Sequence, residues 1–210
     1  GVLGPASRRS AEIPETNSSS SRLVWILAGA TEEKTAAGKS GTLVPEQTER
    51  RGSLAAGNFI VDHVKLVDGY PAQDQLALVQ SHAQSNGGGP YNLLCDLALL
   101  GAEFPLLAVG SIGEDPDGDW ILRDCARRGV DTSALRVTSD AGTSWTDVMS
   151  VASTGRRTFF HYPGANAHLD LERLDFSRSE ACIFYLGYLT MLPSLDAIDG
   201  EGRTAASRAF

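Results

Sequence analysis

Three short segments carry side chains whose types and spacing suit small-molecule chemistry. The first, Gly57-Asn58-Phe59-Ile60-Val61-Asp62-His63, reads as an apolar strand ending in an acid. An Asp at the carboxyl end of a sheet strand sits where α/β proteins bind ligands, and its carboxylate can accept two hydroxyl hydrogen bonds at once. An Asp there also suits a turn, which taken alone is the commoner role. The second segment, Gly87-Gly88-Gly89-Pro90-Tyr91-Asn92, leads into a helix. Consecutive glycines let a ligand approach the backbone, a helix start offers free N–H groups, and Asn92 adds a side chain that both donates and accepts. A plain loop before a helix has the same composition. The third, His161-Tyr162-Pro163-Gly164-Ala165-Asn166-Ala167, is a Gly-Ala-Asn-Ala turn in which Asn166 touches a ligand or merely caps the next element.

Other motifs fail on their own chemistry. Ala37-Gly38-Lys39-Ser40 lacks the earlier glycine of a phosphate-cradling P-loop, because Glu33 stands there and its carboxylate would repel phosphate. Asp115, Asp117 and Asp119 alternate as in a calcium loop, but Trp120 and Ala126 occupy the positions that need Gly and Glu. They read instead as a polar turn and the acidic start of a helix. His161 and His168 belong to no His-Glu-x-x-His pattern, so no metal is expected. No Gly-x-Ser-x-Gly elbow is present, and no Gly-x-Gly-x-x-Gly joins the first strand to a helix, which excludes a dinucleotide oxidoreductase.

The elements that must position these segments follow from periodicity. Leu54 to Val61 and Val64 to Val67 read as strands, being short, apolar, rich in β-branched residues and bounded by Gly and Asp. Pro90 to Leu100 reads as a helix with Leu93, Leu94, Leu97 and Leu100 on one stripe and Gly101 as its stop. Leu106 to Val109 is a buried-type strand. Asp119 to Arg128 is a second helix with Ile121, Leu122 and Cys125 inward and Gly129 as its cap. Thr143 to Ala152 and Arg157 to Tyr162 form a hairpin around Ser153-Thr154-Gly155-Arg156. Arg156 and Arg157 on it reach an anionic substrate or simply face water. Ala181 to Leu186 is a further strand and Glu201 to Phe210 begins a helix. Alternating strands and helices make an α/β sheet with flanking helices and the hairpin as an appendage. The chain stops where such a fold would supply its next strand, so it reads as truncated.

Bulk properties narrow the partners. The 210 residues, 42% hydrophobic and 21% charged, suit one sizeable domain, while a net charge of -8 argues against nucleic acid or an anionic membrane. Residues 1–50 are rich in Ser, Thr, Gly, Glu and Arg without periodicity, and read as a disordered extension. Leu23 to Ala28 is too short to span a bilayer. Cys95, Cys125 and Cys182 lie far apart without a Cys-x-x-Cys pair, which suits reduced thiols and a cytoplasmic location.

In their order along the chain these segments resemble the N-terminal part of the ribokinase, or PfkB carbohydrate kinase, family. The family's Gly-Gly-x-x-x-Asn loop, helix-ending Gly, Gly-x-Asp, Gly-Val-Asp-Thr and Gly-Ala-Asn-Ala are matched by Gly87 to Asn92, Gly101, Gly113-Glu114-Asp115, Gly129 to Thr132 and Gly164 to Ala167. The resemblance runs from about Ser53 to the end and implies a ribokinase-like sheet with a small β lid, its strands at about 64–80 and 143–162. It implies that Asp62, the amides of Gly87 and Gly88, and Asn92 hold sugar hydroxyls, with Asn58, Asn166 and Arg157 as further lid or substrate contacts. The chain departs from the family at Leu94, where a small residue is usual, and at Ile60 and Tyr188, where ribokinase itself has sugar-contacting Asn and Glu. The sugar is therefore open. The family's Asp-Thr-x-Gly-Ala-Gly-Asp motif, which supplies the anion hole and the catalytic base, does not occur in these 210 residues. The resemblance thus implies a parent kinase using ATP and Mg2+, while this chain alone holds no base, binds ATP weakly and does not turn over. A nucleoside kinase and a non-catalytic sugar-binding module are the alternatives. A homodimer through the lid fits the family's habit of packing lid strands against a second subunit.

Overall fold

The computed structural model describes residues 26–28, 50–170 and 179–209. Apart from a three-residue strand, β1 (Ile26–Ala28), and Arg50, the expectation of a disordered extension over residues 1–50 lies outside the described residues.

From Ser53 onward the elements are β2 (Ser53–Gly57), β3 (Ile60–Val67), β4 (Val79–Gly87), α1 (Gly89–Leu99), β5 (Leu106–Gly113), α2 (Pro116–Arg127), β6 (Asp131–Thr138), β7 (Ser144–Val151), β8 (Arg157–Tyr162), β9 (Ile183–Gly187) and a one-turn α3 (Pro193–Asp196). They form two sheets. The first has the order β1-β9-β2-β5-β6, parallel throughout except for β1. The second, a lid, has the order β4-β3-β7-β8.

The main sheet is apolar because both of its faces are covered. Ala55, Ala108 and Ile112 look toward α1 and α2, where Tyr91, Leu94, Cys95, Ile121 and Cys125 are buried. Leu54, Ala56, Val109 and Leu186 face Leu169, Leu192, Leu195 and Ala206 on the other side. In α1 the buried stripe is Tyr91, Leu94 and Cys95, whereas Leu100, expected inward, is the C-cap and is exposed. Leu97 and Ala98 still pack against the core, and only Leu99 and Leu100 at the end of the helix face solvent.

Several boundaries differ from the sequence reading. The strand expected from Leu54 to Val61 is two strands in different sheets. Gly57 (φ 127) packs against the Gly187 backbone, where a Cβ has no room, and the chain leaves the main sheet there. Asp62 therefore lies within lid strand β3, and the carboxyl end of the main-sheet strand is Gly57. The lid segment expected at about 64–80 is β3 and β4 with their joining loop. Strand β4 carries no apolar periodicity because its Val-Gln-Ser-His-Ala-Gln-Ser-Asn run is polar, as suits an outer lid strand. Strand β6, mostly exposed along its length, is a further strand outside the predicted elements. Within Glu201 to Phe210, expected to begin a helix, the structure has a short 3-10 turn, Ala205–Ala209.

One acid ties the two sheets together. Asp115 caps α2, accepting from the Gly118 N–H at 2.9 Å, and accepts from the Thr143 N–H at 2.6 Å and the Thr143 hydroxyl at 2.7 Å. The Thr143 hydroxyl oxygen in turn accepts from the Gly113 N–H at 2.9 Å. Burial works to raise the Asp115 pKa, but these hydrogen bonds overcome it and hold the carboxyl below its ordinary range. The depressed pKa makes the carboxylate a stabilising group at neutral pH whose contribution is lost as pH falls through the folded value. Asp115→Ala is expected to lower stability by about 2 kcal/mol at pH 7, with the difference shrinking in acid, measured by urea denaturation across pH.

Candidate functional site

The site lies where β4 runs into α1 beneath lid strand β3. The register Ile60↔Gly87 and Asp62↔Ser85 brings the Asp62 carboxylate against the glycine loop. A Cβ on Gly87 would stand 2.5 Å from Asp62 Oδ1, so only glycine leaves room for the acid. Gly88 (φ 87) takes the left-handed conformation at the helix start, and a Cβ there would collide with the Asn58 carbonyl oxygen. Asn92 sits on the first turn of α1. Its Oδ1 accepts from Asn86 Nδ2 at 2.6 Å, which directs its NH2 group the other way. Asp62, Gly87, Gly88 and Asn92 thus converge on one spot, as the sequence reading groups them.

Asn58 and Asn166 lie behind that spot, fully buried, with their side chains occupied by the backbone. Asn58 Nδ2 donates to the Met191 carbonyl at 3.2 Å, and its Oδ1 accepts from the Tyr188 N–H. Asn166 Nδ2 donates to the Phe59 carbonyl at 3.0 Å, and its Oδ1 accepts from the Phe59 N–H at 3.4 Å. Both clamp main chain, one at the end of β2 and one at the lid's root. Arg157 opens β8 at the lid's exposed end, with its guanidinium 5.4 Å from the centre of the Phe159 ring.

Burial pushes the Asp62 pKa up to about 6, against the lowering effect of a hydrogen bond from Thr146 and the charges of Arg157 and His63. The acid is therefore ionised at neutral pH but close to titrating. Burial likewise raises the Tyr185 pKa to about 12. The Tyr185 hydroxyl packs against Gly89, and the Tyr188 ring stands beside it. Thr146, Asn86 and Tyr185 are the residues that sequence reading missed. Thr146 and Tyr185 look like ordinary strand formers, and only Asn86, a polar residue directly before the glycine run, gave a local signal.

Among the described residues no three His, Cys, Asp or Glu side chains gather as a metal site, and no helix is long and apolar enough to cross a membrane.

Residues 52–195 match the model of the pfkB family carbohydrate kinases. The chain is 31% identical over 125 residues to the ATP-dependent ribose-1-phosphate kinase of Halopiger xanaduensis, covering 60% of this chain and 41% of that protein. It is 30% identical over 134 residues to Mus musculus ketohexokinase, covering 62% and 44%. Among solved structures, ribokinase from Thermotoga maritima superposes with a TM-score of 0.55 at 22% identity, covering 62% of this chain and 43% of that one. Ribokinase from Cryptococcus neoformans var. grubii gives 0.52 at 21% identity, covering 60% and 39%. These two establish a shared fold. The chain spans less than half the length of each of these relatives.

The geometry sets two stability expectations. Gly88→Ala forces a side chain into both an unfavourable φ and the Asn58 carbonyl, and is expected to destabilise by about 2 kcal/mol or more. Asp62→Asn should do the reverse at high pH. A carboxyl whose folded pKa lies near 6 rather than at its unfolded ~3.9 stabilises fully only below ~3.9, and that contribution is lost as pH rises through about 6. At pH 8 the Asn variant should be more stable by about 1–2 kcal/mol, with the gap closing near pH 4, read from thermal melts.

Proposed function

Because the chain belongs to the pfkB family of carbohydrate kinases, we propose that residues 51–210 form the sugar-binding part of an ATP-dependent sugar kinase. The observation that carries this reading is the Asp62 carboxylate seated against Gly87, with the Gly88 turn and Asn92 beside it. An ionised carboxylate accepts hydroxyl hydrogen bonds from two directions, and the start of α1 offers N–H donors to a ring oxygen or hydroxyl. In this reading Asp62, Gly87, Gly88 and Asn92 hold the sugar. The lid sheet closes over it and keeps water from competing for the phosphoryl group. Asn58 and Asn166 shape the site from behind, and Arg157 stands at its rim within electrostatic reach of Asp62.

Transfer from ATP needs charge neutralisation and a base beside the attacking hydroxyl. The Asp-Thr-x-Gly-Ala-Gly-Asp motif does not occur in the 210 residues. In this proposal ATP, Mg2+ and the base belong to the rest of a longer parent protein, and the 210-residue chain by itself is read as binding sugar without turnover. A cytoplasmic location and a homodimer through the lid, where Phe159, Phe160 and Tyr162 are exposed, belong to the same proposal.

The test is an ATP-dependent phosphorylation screen of the full-length gene product against ribose, fructose, 2-keto-3-deoxygluconate, ribose 1-phosphate and adenosine. Turnover of a sugar, lost by more than about a hundredfold in Asp62→Ala, is expected. Its KM should rise below about pH 6 as Asp62 takes a proton and becomes a donor. Turnover of adenosine alone, or no turnover at all, overturns the reading. Turnover by the 210-residue chain alone overturns its second half.

A further inference from the structure

Asp62, Thr146 and His161 sit side by side across three lid strands, since Asp62 pairs with Thr146 and Thr146 with His161. Thr146 Oγ1 lies 3.0 Å from His161 Nδ1, and the β3–β7 register sets Thr146 directly beside Asp62, whose pKa its hydroxyl lowers as a donor does. A hydroxyl has one proton to give. If Thr146 gives it to Asp62, His161 Nδ1 must carry hydrogen. If Thr146 gives it to Nδ1, a neutral ring carries its hydrogen on Nε2.

His161 Nε2 decides between the two. It is buried and has no hydrogen-bond partner. An orphaned buried N–H is a worse outcome than an orphaned lone pair, because donors are almost always satisfied in folded proteins while acceptors are less strictly so. Burial meanwhile lowers the His161 pKa and keeps the ring neutral.

We propose that His161 is a positioning residue, locked as the neutral Nδ1–H tautomer, that donates to the Thr146 oxygen and so turns the Thr146 proton onto Asp62. The effect is directional. One acceptor site of Asp62 is filled and its carboxylate is oriented, while the remaining lone pairs are left to substrate hydroxyls. The role in substrate binding rests on the sugar-kinase reading, but the tautomer does not.

Two measurements on the full-length gene product test it separately. Nitrogen-15 NMR of the labelled His161 ring near pH 7.5 should show hydrogen on Nδ1, and hydrogen on Nε2 overturns the relay whether or not the protein is a kinase. In the kinetics, His161→Leu and Thr146→Val should each raise the sugar KM about tenfold with a smaller change in kcat. The double variant should be no worse than either single one, and His161→Asn, whose amide replaces the Nδ1 donor, should recover most of the loss. An unchanged KM in a His161→Leu protein that melts normally, or additive losses in the double variant, overturns the positioning role. If the variants do not fold, the wild-type tautomer decides. If wild type phosphorylates no sugar, the kinase reading falls, and the tautomer alone decides whether the relay exists.

Discussion

Gly57-Asn58-Phe59 is where the chain crosses from one sheet to the other, and the crossing is buried. Three polar backbone-bearing residues inside a protein would each leave donors and acceptors unmet, so every one needs a partner. Asn58 takes the end of β9 and the turn that follows it, through its main chain and both ends of its side chain. Asn166, arriving from the far end of the lid hairpin, pairs with both main-chain groups of Phe59 as a neighbouring strand would. Gly88 packs on the Asn58 carbonyl and starts α1. Sheet, lid, helix and hairpin therefore meet at one satisfied knot, and a fully satisfied polar knot is rigid.

That rigidity makes an uncomfortable acid tolerable. Asp62 follows the crossing by three residues on a strand with neighbours on both sides, so its carboxylate is drawn out of water and its ionisation is penalised. Relaxed, the carboxylate would rotate toward solvent. Held by the β3 register and by Thr146, it stays over Gly87 and trades folding stability for a hydrogen-bond acceptor in a fixed place.

The helix layer has a brace of its own. Asp124 is buried between α1 and α2 and accepts from the Tyr91 hydroxyl at 2.8 Å, Arg127 at 2.7 Å and Arg128 at 3.0 Å. Burial alone would raise its pKa, but these donors overcome that and keep it ionised. The same surroundings push the Cys95 and Cys125 thiols up to about 12, so both remain protonated core residues. Tyr91 belongs to the brace through its hydroxyl and to the base of the site through its ring, stacked 5.6 Å from Phe59. The brace thereby sets the angle at which α1 presents its first turn.

By itself, the sequence determined the parts whose physics is local. The β2 and β5 runs are apolar enough to be strands in any setting, α1 and α2 carry their own Pro, Asp and Gly punctuation, and Gly87-Gly88 admits a close approach that a plain loop would also allow. The chemical types at the site, an acid, a glycine turn and an Asn, were legible for the same reason. Tertiary structure decided what depends on partners distant in the chain. The break at Gly57 comes from Gly187, some 130 residues on, and it moves Asp62 from the end of a core strand into the lid. Polar β4 becomes a strand only because β3 lies beside it. Asn58 and Asn166 become clamps because the backbone groups they satisfy are brought to them. Thr146 and His161 join Asp62 through strand register, which one strand read alone does not contain.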